Sequence, residues 1–404
     1  MKIRHITTCL AILIAGSTIS AQESSQKLEY RRSSICSFLV SRLDQKMYDR
    51  IQQKYIEIPT PDKYNDHNLS IRMINVGKKG NYADSISNWL DNNKIASRIV
   101  AKWYNRNMLT GECNMSLIQE RGLYNATEFD KELAARSPRG IAMLADAGEE
   151  LISNTFVLVH EAHYIDNAKR SQNVSTGLKI GGALLGAFIG VDLSDAFDLL
   201  GDLAATFKGF RVKFHSRLYQ LVWNEEAQAT FYQDYYSANP DSIKRIAFEA
   251  NRNKFKLKYI GEVESSGSQN SFLGISEENP EIMIRKACQR AIDDNVRDLQ
   301  KKFEVFRVKS PIIDVLSNNE VLVPIGMKEG VNEDSEYEVL EAIETDGRIE
   351  YKRISTIEPV KDRIWDNRFM AKEEGAYGSD LTATTFKVKS GKTPYPGVLV
   401  RQIK

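Results

Sequence analysis

The sequence has little of what marks several protein classes. It has four cysteines in 404 residues, too few for a disulfide-rich scaffold. Beyond its first residues it has no run of about 20 apolar residues, the length that a membrane-spanning helix needs. The 55 basic and 54 acidic residues nearly cancel, so the net charge does not attract nucleic acid. With 42% apolar residues, the chain is neither disordered nor collagenous nor a multispan membrane protein.

Motifs of common enzymes are also absent. No Gly-x-Ser-x-Gly occurs, which excludes the nucleophile turn of the α/β hydrolases. Gly391-Lys392-Thr393 has the end of a phosphate loop, but Phe386 stands where that loop needs its first glycine. We therefore predict no cofactor and favour a protein that is not an enzyme. Carboxylate pairs from distant segments leave no local spacing, so a hydrolase with dispersed carboxylates stays as an alternative.

Residues 1–21 have the three parts of a secretory signal peptide. Lys2 and Arg4 supply the positive start, a short apolar core follows, and small residues precede the expected cleavage site. The mature chain then begins near Gln22. We expect it in the periplasm or on the cell surface, or associated with the outer membrane.

Three cysteines remain after the leader, at Cys36, Cys113 and Cys288. In an oxidising compartment they allow one disulfide and one free thiol, and the spacing does not identify the pair. Cys288 lies on the apolar stripe of a predicted helix, which favours a buried thiol. Cys9 lies early in the apolar core of the leader, which argues against a lipidated N-terminus.

Strand and helix patterns alternate over residues 22–305, which predicts a mixed sheet-and-helix domain. Thr155–Val159 is the clearest strand, an unbroken apolar run of the kind that is buried on both faces. Asn279-Pro280 predicts the start of a long helix that continues to about Phe303. The other strands are predicted at 34–40, 69–76, 115–120, 210–214 and 254–259, the other helices at 43–58, 95–103, 127–135, 140–152, 225–235 and 241–251, and a loop at 261–274.

Residues 177–208 are predicted to be a helical insertion in this domain. Gly182, Gly186 and Gly190 repeat at four-residue spacing in an uncharged stretch, a pattern that lets helices approach closely. An amphipathic helix follows. We interpret the two as a helical hairpin packed on the sheet, with insertion into a membrane or a partner as the alternative.

From residue 306 to 404 the sequence changes to short strands and turns with almost no helical periodicity. This pattern predicts a small C-terminal β domain, barrel-like in form, with a domain boundary between 305 and 312. The run from Glu329 to Asp346 holds eight acidic residues, which we interpret as the solvated face of a hairpin. The predicted fold class of the whole chain is therefore α+β.

His160-Glu161-Ala162-His163 is similar to the zinc-protease motif but has the wrong spacing. That motif places two histidines four residues apart on one helix face, whereas here they are three apart. The tetrapeptide also continues a strand pattern, in which residues an odd number apart point to opposite faces. We therefore predict no metal site. The candidate ligands for one are His160, His163 and Asp166, with His67 or His215 in addition.

Two predicted strands have basic outer faces. Such faces suit an anionic glycan or the headgroup of a lipid, the latter as peripheral contact with a membrane. The basic residues are Arg211 and Lys213 on one strand and Lys254, Lys256 and Lys258 on the other.

Two segments resemble the curli-secretion family of envelope proteins. Asn114–Gly122 resembles its strand that ends in an arginine-containing motif, and Ala147–Val159 resembles its alanine- and glycine-rich turn into an apolar strand. The Leu69–Val76 strand and the Ile95–Trp103 helix stand in the same order as in that family. The chain lacks the lipidation cysteine and the alternating, lipid-facing hairpins of the curli channel.

The C-terminal part resembles the C-terminal module of the flagellar assembly protein T. The segments that carry the resemblance are Gly326–Val331, Tyr337–Leu340 and Ile354–Val360. Both relatives act outside the cytoplasm as assembly parts and not as catalysts. The chain as a whole resembles uncharacterised exported bacterial envelope proteins.

These observations predict an exported, non-catalytic envelope protein that acts as an assembly, scaffold or partner-binding component. The expected partner is an envelope protein or a second copy of the chain, and not a nucleic acid. One alternative is an exported hydrolase that uses dispersed carboxylates or a zinc site at His160 and His163. The other is a binder of an anionic glycan or lipid.

Overall fold

The computed structural model describes residues 31–42, 45–77, 82–124, 150–165, 208–271, 280–345 and 348–403. These residues form two β-sheets and several helices, which confirms the predicted α+β class. The predicted leader, the helix at 127–135, most of the helix at 140–152 and residues 177–207 of the predicted insertion lie outside the described residues. No helix in the described ranges is both long enough and apolar enough to cross a membrane.

The first sheet is mixed and has the strand order β2-β1-β4-β5-β6, with β3 also paired to β1. β1 is parallel to β2, β3 and β4, whereas β4, β5 and β6 are antiparallel neighbours. The described pairs of the β4–β5 ladder run from Phe156 opposite Gln220 to Ile165 opposite Arg211. The strands are β1 (Ser34–Val40), β2 (Asn65–Asp66), β3 (Met73–Ile74), β4 (Thr155–Ile165), β5 (Lys208–Leu221) and β6 (Leu257–Ser271).

Helices cover both faces of this sheet. On one face, Phe38 and Val157 pack against Ile99 of α3 and Phe248 of α7. On the other, Phe214 packs with residues of α1 and α8. This double coverage explains why Phe156–Val159 of β4 are all apolar. The helices are α1 (Tyr48–Glu57), α2 (Tyr82–Asn92), α3 (Ile95–Trp103), α4 (Ser116–Tyr124), α5 (Glu150–Ser153), α6 (Glu225–Thr230), α7 (Ser242–Ala250) and α8 (Pro280–Lys302), and a π-helical turn (Phe231–Tyr235) follows α6.

Helix α8 approaches the edge strand β6 at a glycine. A Cβ atom added to Gly267 would lie 1.8 Å from the carbonyl oxygen of Ala287, far inside van der Waals contact. Only glycine therefore lets the helix and the strand come this close. The small side chains of this stretch, which predict a loop, instead make room for the helix.

The second sheet is antiparallel and curls into a half-barrel, which confirms the barrel-like prediction. Its strand order is β7-β13-β10-β11-β12-β9-β8. Val321, Val339, Ile357, Phe386 and Val400 belong to its core. The strands are β7 (Ser310–Pro311), β8 (Asp314–Leu316), β9 (Glu320–Val323), β10 (Tyr337–Thr345), β11 (Arg348–Pro359), β12 (Thr384–Gly391) and β13 (Leu399–Gln402).

Helix α8 also contacts the segment that connects β11 to β12 in the second sheet. The buried ammonium of Lys286 forms an ion pair with Glu374, and Arg290 Nη2 donates a hydrogen bond to Phe369 O at 3.0 Å. Tyr64 Oη donates to Phe306 O at 3.0 Å. This hydrogen bond joins the segment between α1 and β2 to the segment between α8 and β7. The division into separate domains at 305–312 stays a prediction.

Several predicted elements were wrong. The segment predicted as a strand at 115–120 is helix α4, whose first turn is held by Asn114 Oδ1, which accepts from Ser116 N at 3.2 Å. The strand predicted at 254–259 starts only at Leu257, and it continues through the predicted loop to Ser271. Of the strand predicted at 69–76, only β3 is regular. Glu338, in the acidic run, is buried and its Oε1 accepts from Arg401 Nε at 2.6 Å, so this part of the hairpin is not solvated.

Candidate functional site

The two histidines of β4 lie on opposite faces of the first sheet. His160 is 1% exposed, and its Nδ1 lies 2.7 Å from Ser216 Oγ, which also accepts a hydrogen bond from Asn295 of α8. Burial and the charge of Arg72 lower the pKa of His160 to about 3. His160 is therefore a neutral core histidine, and His163 points away from it.

Glu161 is the centre of a charged cluster on the His163 side. Its Oε1 accepts from Arg42 Nη1 at 2.5 Å and lies 3.4 Å from His163 Nε2, and its Oε2 accepts from Arg217 Nη1 at 3.4 Å. Burial alone would raise the pKa of Glu161, but His163 and Arg217 lower it to about 2. Glu161 is thus an ionised carboxylate at any physiological pH and is unsuited to donate a proton.

The cluster continues across β5 and β6 because the strand register stacks charged residues on one face. Arg217 Nε lies 3.1 Å from Glu262 Oε2, and His215 Nε2 lies 3.2 Å from the same oxygen. Lys213 Nζ lies 2.8 Å from Glu264 Oε1. The face thus matches its arginines and lysine with carboxylates, so it holds the sheet together more than it attracts an ion. We call these residues the charged face: Arg42, Glu161, His163, Lys213, His215, Arg217, Glu262 and Glu264.

The candidate metal ligands do not come together. His160 and His163 are separated by the sheet, and Asp166 lies outside the described residues. His67 has both ring nitrogens engaged, with Nε2 3.0 Å from Ile99 O and Nδ1 3.0 Å from Arg121 Nη1. Among the described residues no group of three His, Cys, Asp or Glu side chains is placed to hold a metal ion.

The five basic residues predicted on strand faces do not form one surface. Lys258 pairs with Gln220 at one end of β5, whereas Arg211 and Lys213 lie at the other. Seven residues separate Lys213 from Gln220, about 23 Å along a strand. Lys254 and Lys256 precede β6 and are exposed, with Lys254 in a 3₁₀ turn. A single basic face over both strands is therefore not present in these segments.

An exposed apolar patch lies where sequence analysis identified no site. It combines the most exposed aliphatic side chains of the described residues: Leu109 at 87%, Ile243 at 79%, Ile246 at 59% and Met108 at 55%. The first and last belong to the turn after α3, and the isoleucines belong to α7. Asp241 N donates to Thr110 O at 3.0 Å, which joins the two segments. We call these four side chains the apolar patch.

The base of the apolar patch is rigid. Arg106 is buried, and its guanidinium donates to Gly111 O at 2.9 Å, Tyr235 O at 3.2 Å and Lys244 O at 3.4 Å. The same guanidinium stacks 4.3 Å above the ring of Phe248. One side chain therefore ties the turn, the π-helical turn and α7 together.

A sequence signal for the apolar patch does exist. Ile243, Ile246, Ala247, Phe248 and Ala250 of α7 point to more than one side of a helix. One stripe is enough for the core, and Phe248 fills it at 1% exposure. Ile243 and Ile246, which the core does not need, are therefore the sequence signal for the apolar patch.

The three described cysteines are free and buried. Cys36 and Cys113 belong to the core on one face of the first sheet and Cys288 to the core on the other. Burial raises the pKa of Cys36 to about 12 and raises that of Cys288 as well. The disulfide alternative is wrong, and the prediction of a buried Cys288 thiol is confirmed.

A groove of about 450 Å³ lies on the second sheet, at the β11–β12 pair. Arg353 and Lys389 line it, together with the hydroxyls of Thr356 and Ser390. Lys389 Nζ lies 3.4 Å from Glu336 Oε2, so one of the two cations is already paired.

Comparison with known proteins adds no assignment. No protein-family model matches the chain, and no curated protein matches it. The resemblances to the curli-secretion family and to the flagellar assembly protein T therefore stay predictions. The functional assignment depends on the apolar patch, the charged face and the groove.

Proposed function

We propose that the mature protein is an exported, non-catalytic component of the cell envelope that binds a partner protein through the apolar patch. The observation that carries this proposal is the concentration of the most exposed aliphatic side chains on one rigid base. Single exposed apolar residues are common, but a contiguous group is typical of an interaction site. Burial of apolar surface contributes about 25 cal/mol per Å². A partner that covers the patch therefore gains binding free energy from the area it buries.

The rigidity of the base also supports binding. Hot spots of interfaces are well-packed side chains that lose little conformational freedom on association. Arg106 fixes the backbone on both sides of the patch, so ordering of the turn is not a cost of binding. Leu109 and Ile243 are then anchors presented by a preformed surface.

The charged face supports a structural role over hydrolysis. A general acid needs a pKa near the working pH, whereas Glu161 has a pKa of about 2 and His160 of about 3. The zinc alternative needs two histidines on one side, and the sheet separates His160 from His163. These two features argue against an exported hydrolase that uses Glu161 or a zinc site at His160 and His163.

A second candidate function is binding of an anionic glycan or a lipid headgroup. The groove favours it through Arg353, because a guanidinium suits a sulfate, phosphate or carboxylate group, whereas Lys389 is already paired with Glu336. Titration with a sulfated oligosaccharide tests this candidate. Binding that is lost in the double variant Arg353→Gln/Lys389→Gln supports it, and equal signals for both proteins contradict it.

Site-specific photo-crosslinking in intact cells tests the main proposal. A photoreactive phenylalanine analogue replaces Leu109 or Ile243, and Tyr377, which is 72% exposed and lies outside the patch, is the matched control. We expect a discrete adduct at the first two positions and none at the third. Adducts no stronger at the patch than at Tyr377 would contradict the proposal.

Export is tested separately. The N-terminus of the chain recovered from the cell envelope is expected near Gln22. A cytoplasmic chain that retains residues 1–21 would contradict the exported part of the proposal while leaving partner binding open to its own test.

A further inference from the structure

Three carboxyl groups from three segments surround one lysine where α8 meets the second sheet. Asp293 lies on α8, and Asp62 lies between α1 and β2. Lys328 and Glu329 belong to the 3₁₀ turn Met327–Glu329, which follows β9. Asp62, Lys328 and Glu329 all act on the pKa of Asp293, which places the four groups within electrostatic reach of each other. We call these four side chains the carboxyl junction.

Two of the three carboxyl groups already have donors. Lys328 Nζ lies 3.1 Å from Asp62 Oδ2, and the Lys328 side chain is only 12% exposed. Glu329 Oε2 accepts hydrogen bonds from Gly326 N at 2.8 Å and from Asn367 Nδ2 at 2.7 Å. These donors favour the ionised form of both groups. The single ammonium of the junction is therefore engaged by Asp62.

Asp293 is the carboxyl group that lacks a donor. Its Oδ2 is buried and has no hydrogen-bond partner among the described residues. A buried carboxylate without a donor is costly, whereas the protonated group carries no charge. The geometry therefore assigns a proton to Asp293. Burial raises its pKa to about 7, which agrees with this assignment.

The other charged groups of α8 beside the junction are matched with each other. Arg297 Nη1 donates to Asp294 Oδ1 at 2.5 Å, and Arg297 Nε donates to Asp298 Oδ1 at 3.0 Å. A Cβ atom added to Gly330 would lie 2.7 Å from Arg297 Cγ, so the end of the 3₁₀ turn packs directly on the helix. Arg297 thus has two carboxylates of its own, and the charge of Asp293 stays with the junction.

We infer that the carboxyl junction is a proton-controlled contact between α8 and the second sheet, closed while Asp293 holds its proton and loosened when the proton leaves. With the proton, two carboxylates face one ammonium, and without it three do. Asp62 and Glu329 repel the new charge, and movement of the 3₁₀ turn away from α8 lets water reach it. This device is independent of the apolar patch and of any partner.

Helix α8 has a second contact with the second sheet that serves as an internal control. There Glu374 Oε1 pairs with the ammonium of Lys286, and Glu374 Oε2 accepts from Arg290 Nη2. Burial opposes ionisation of Glu374, but these two cations lower its pKa. The Glu374 contact should therefore stay closed at every pH at which the junction titrates.

Hydrogen exchange of the full chain at pH 6 and pH 8, followed by mass spectrometry, tests the inference. The reporter is the 3₁₀ turn, where Gly330 N donates to Met327 O at 3.0 Å. After correction for intrinsic exchange, its opening should be about tenfold more frequent at pH 8. That factor follows from a carboxyl group that titrates near 7 when the junction is closed and near 4 when it is open.

Two controls separate the junction from other causes. In Asp293→Asn the tenfold change should disappear. The segment beside Glu374, where Ala371 N donates to Arg368 O at 3.0 Å, should show no pH-dependent opening in either chain. An equal change in Asp293→Asn would assign the effect to another group, and an equal change at Ala371 would show loosening of the whole chain. Either result would overturn the inference.

Infrared difference spectra between pH 6 and pH 8 detect the proton itself and do not require the variant to fold. Ordinary carboxyl groups are ionised at both pH values, so only a group such as Asp293 contributes a protonated-carboxyl band. We expect that band in the unmodified chain at pH 6 and its loss at pH 8. A spectrum without the band would show that Asp293 holds no proton, and the inference would then be wrong.

Discussion

Arg121 donates a hydrogen bond from Nη1 to His67 Nδ1 over 3.0 Å, and this bond fixes the protonation of the histidine. Because Ile99 O accepts from the other ring nitrogen, the proton of the neutral ring lies on Nε2. The ring also stacks on Trp103 at 4.8 Å. Burial, and next the charge of Arg121, hold the pKa of His67 well below its usual range.

Acid should therefore destabilise this protein through its buried histidines. His67 stays neutral in the fold, while the unfolded chain takes up a proton below about pH 6.5, so stability is full above that pH and is lost as the pH falls. Each such histidine lowers the free energy of unfolding by up to about 1.4 kcal/mol for each unit by which the pH falls below about 6.5. In urea unfolding at pH 7.5, 5.5 and 4.5, His67→Gln should show a smaller pH dependence. Tyr377→Phe, at an exposed site, should match the unmodified chain, and equal slopes for all three chains would contradict the assignment.

The buried carboxyl group of Asp293 should make the stability depend on pH in the opposite direction. Its Oδ2 is buried without a hydrogen-bond partner in the described part of the chain, and burial raises its pKa to about 7. The charges that face it are Lys328, which lowers the pKa, and Glu329, Asp62 and Asp294, which raise it. The folded chain holds a proton that the unfolded chain releases above about pH 4, so stability is lost as the pH rises from about 4 to about 7.

The variant Asp293→Asn should consequently be more stable at neutral pH. We expect a gain of about 1–3 kcal/mol in the free energy of unfolding at pH 8 and almost none at pH 4. Urea unfolding at both pH values measures the difference. Asp380→Asn, at a side chain 87% exposed, should change neither value. A loss at pH 8 would show that the carboxylate of Asp293 is stabilising, contrary to this prediction.

The Glu161 carboxylate should be essential to the charged face. Glu161→Gln leaves Arg42 and Arg217 facing a neutral amide, and removal of one partner from a buried ion pair costs about 3–5 kcal/mol. Glu264→Gln breaks the exposed pair with Lys213 and should cost less than about 1 kcal/mol. Chemical unfolding at pH 7 compares the two variants. The stabilisation by the Glu161 carboxylate is present above about pH 4.5 and is lost as the pH falls towards 2. Similar decreases in the free energy of unfolding for both variants would contradict the prediction that Glu161 is essential to the charged face.

Gly267 should not tolerate a side chain. Gly267→Ala places a methyl group against Ala287 O and forces α8 away from β6, at a cost of about 1–3 kcal/mol or more. Ser266→Ala, at the next and exposed position, is the matched control. Thermal unfolding followed by circular dichroism measures both. An unchanged melting temperature for Gly267→Ala would mean that the helix and strand separate at little cost.

The parts of the fold that could be predicted are those with strong local periodicity. The apolar run of β1, the stripe of α3 and the Asn-Pro start of α8 each specify their element without help from the rest of the chain. β6 was missed because its Ser and Gly residues favour a loop, and only pairing with β5 and packing on α8 make it a strand. Helix α4 was missed because its short apolar pattern suits either element.

The candidate sites could not be predicted because they join residues far apart in the sequence. The charged face needs Glu161, Arg217 and Glu262, and their pairing depends on the register of three strands. The apolar patch needs the turn that carries Leu109 to lie beside α7, and the hydrogen bond from Asp241 N to Thr110 O joins these two segments. The zinc-like tetrapeptide could be rejected from sequence, because its spacing and strand pattern are local properties.

The ladder that ends with Ile165 opposite Arg211 has an evolutionary consequence. Ile165 and Arg211 are neighbours across the two strands, and the register of β4 and β5 follows from their own pairing, so it does not depend on the length of the polypeptide that joins them. Each doubling of such a connection costs only about 0.6 kcal/mol in closure entropy. Natural variation in length is thus expected to accumulate between residues 165 and 208, and a short designed turn at this point should yield a smaller protein with the same first sheet.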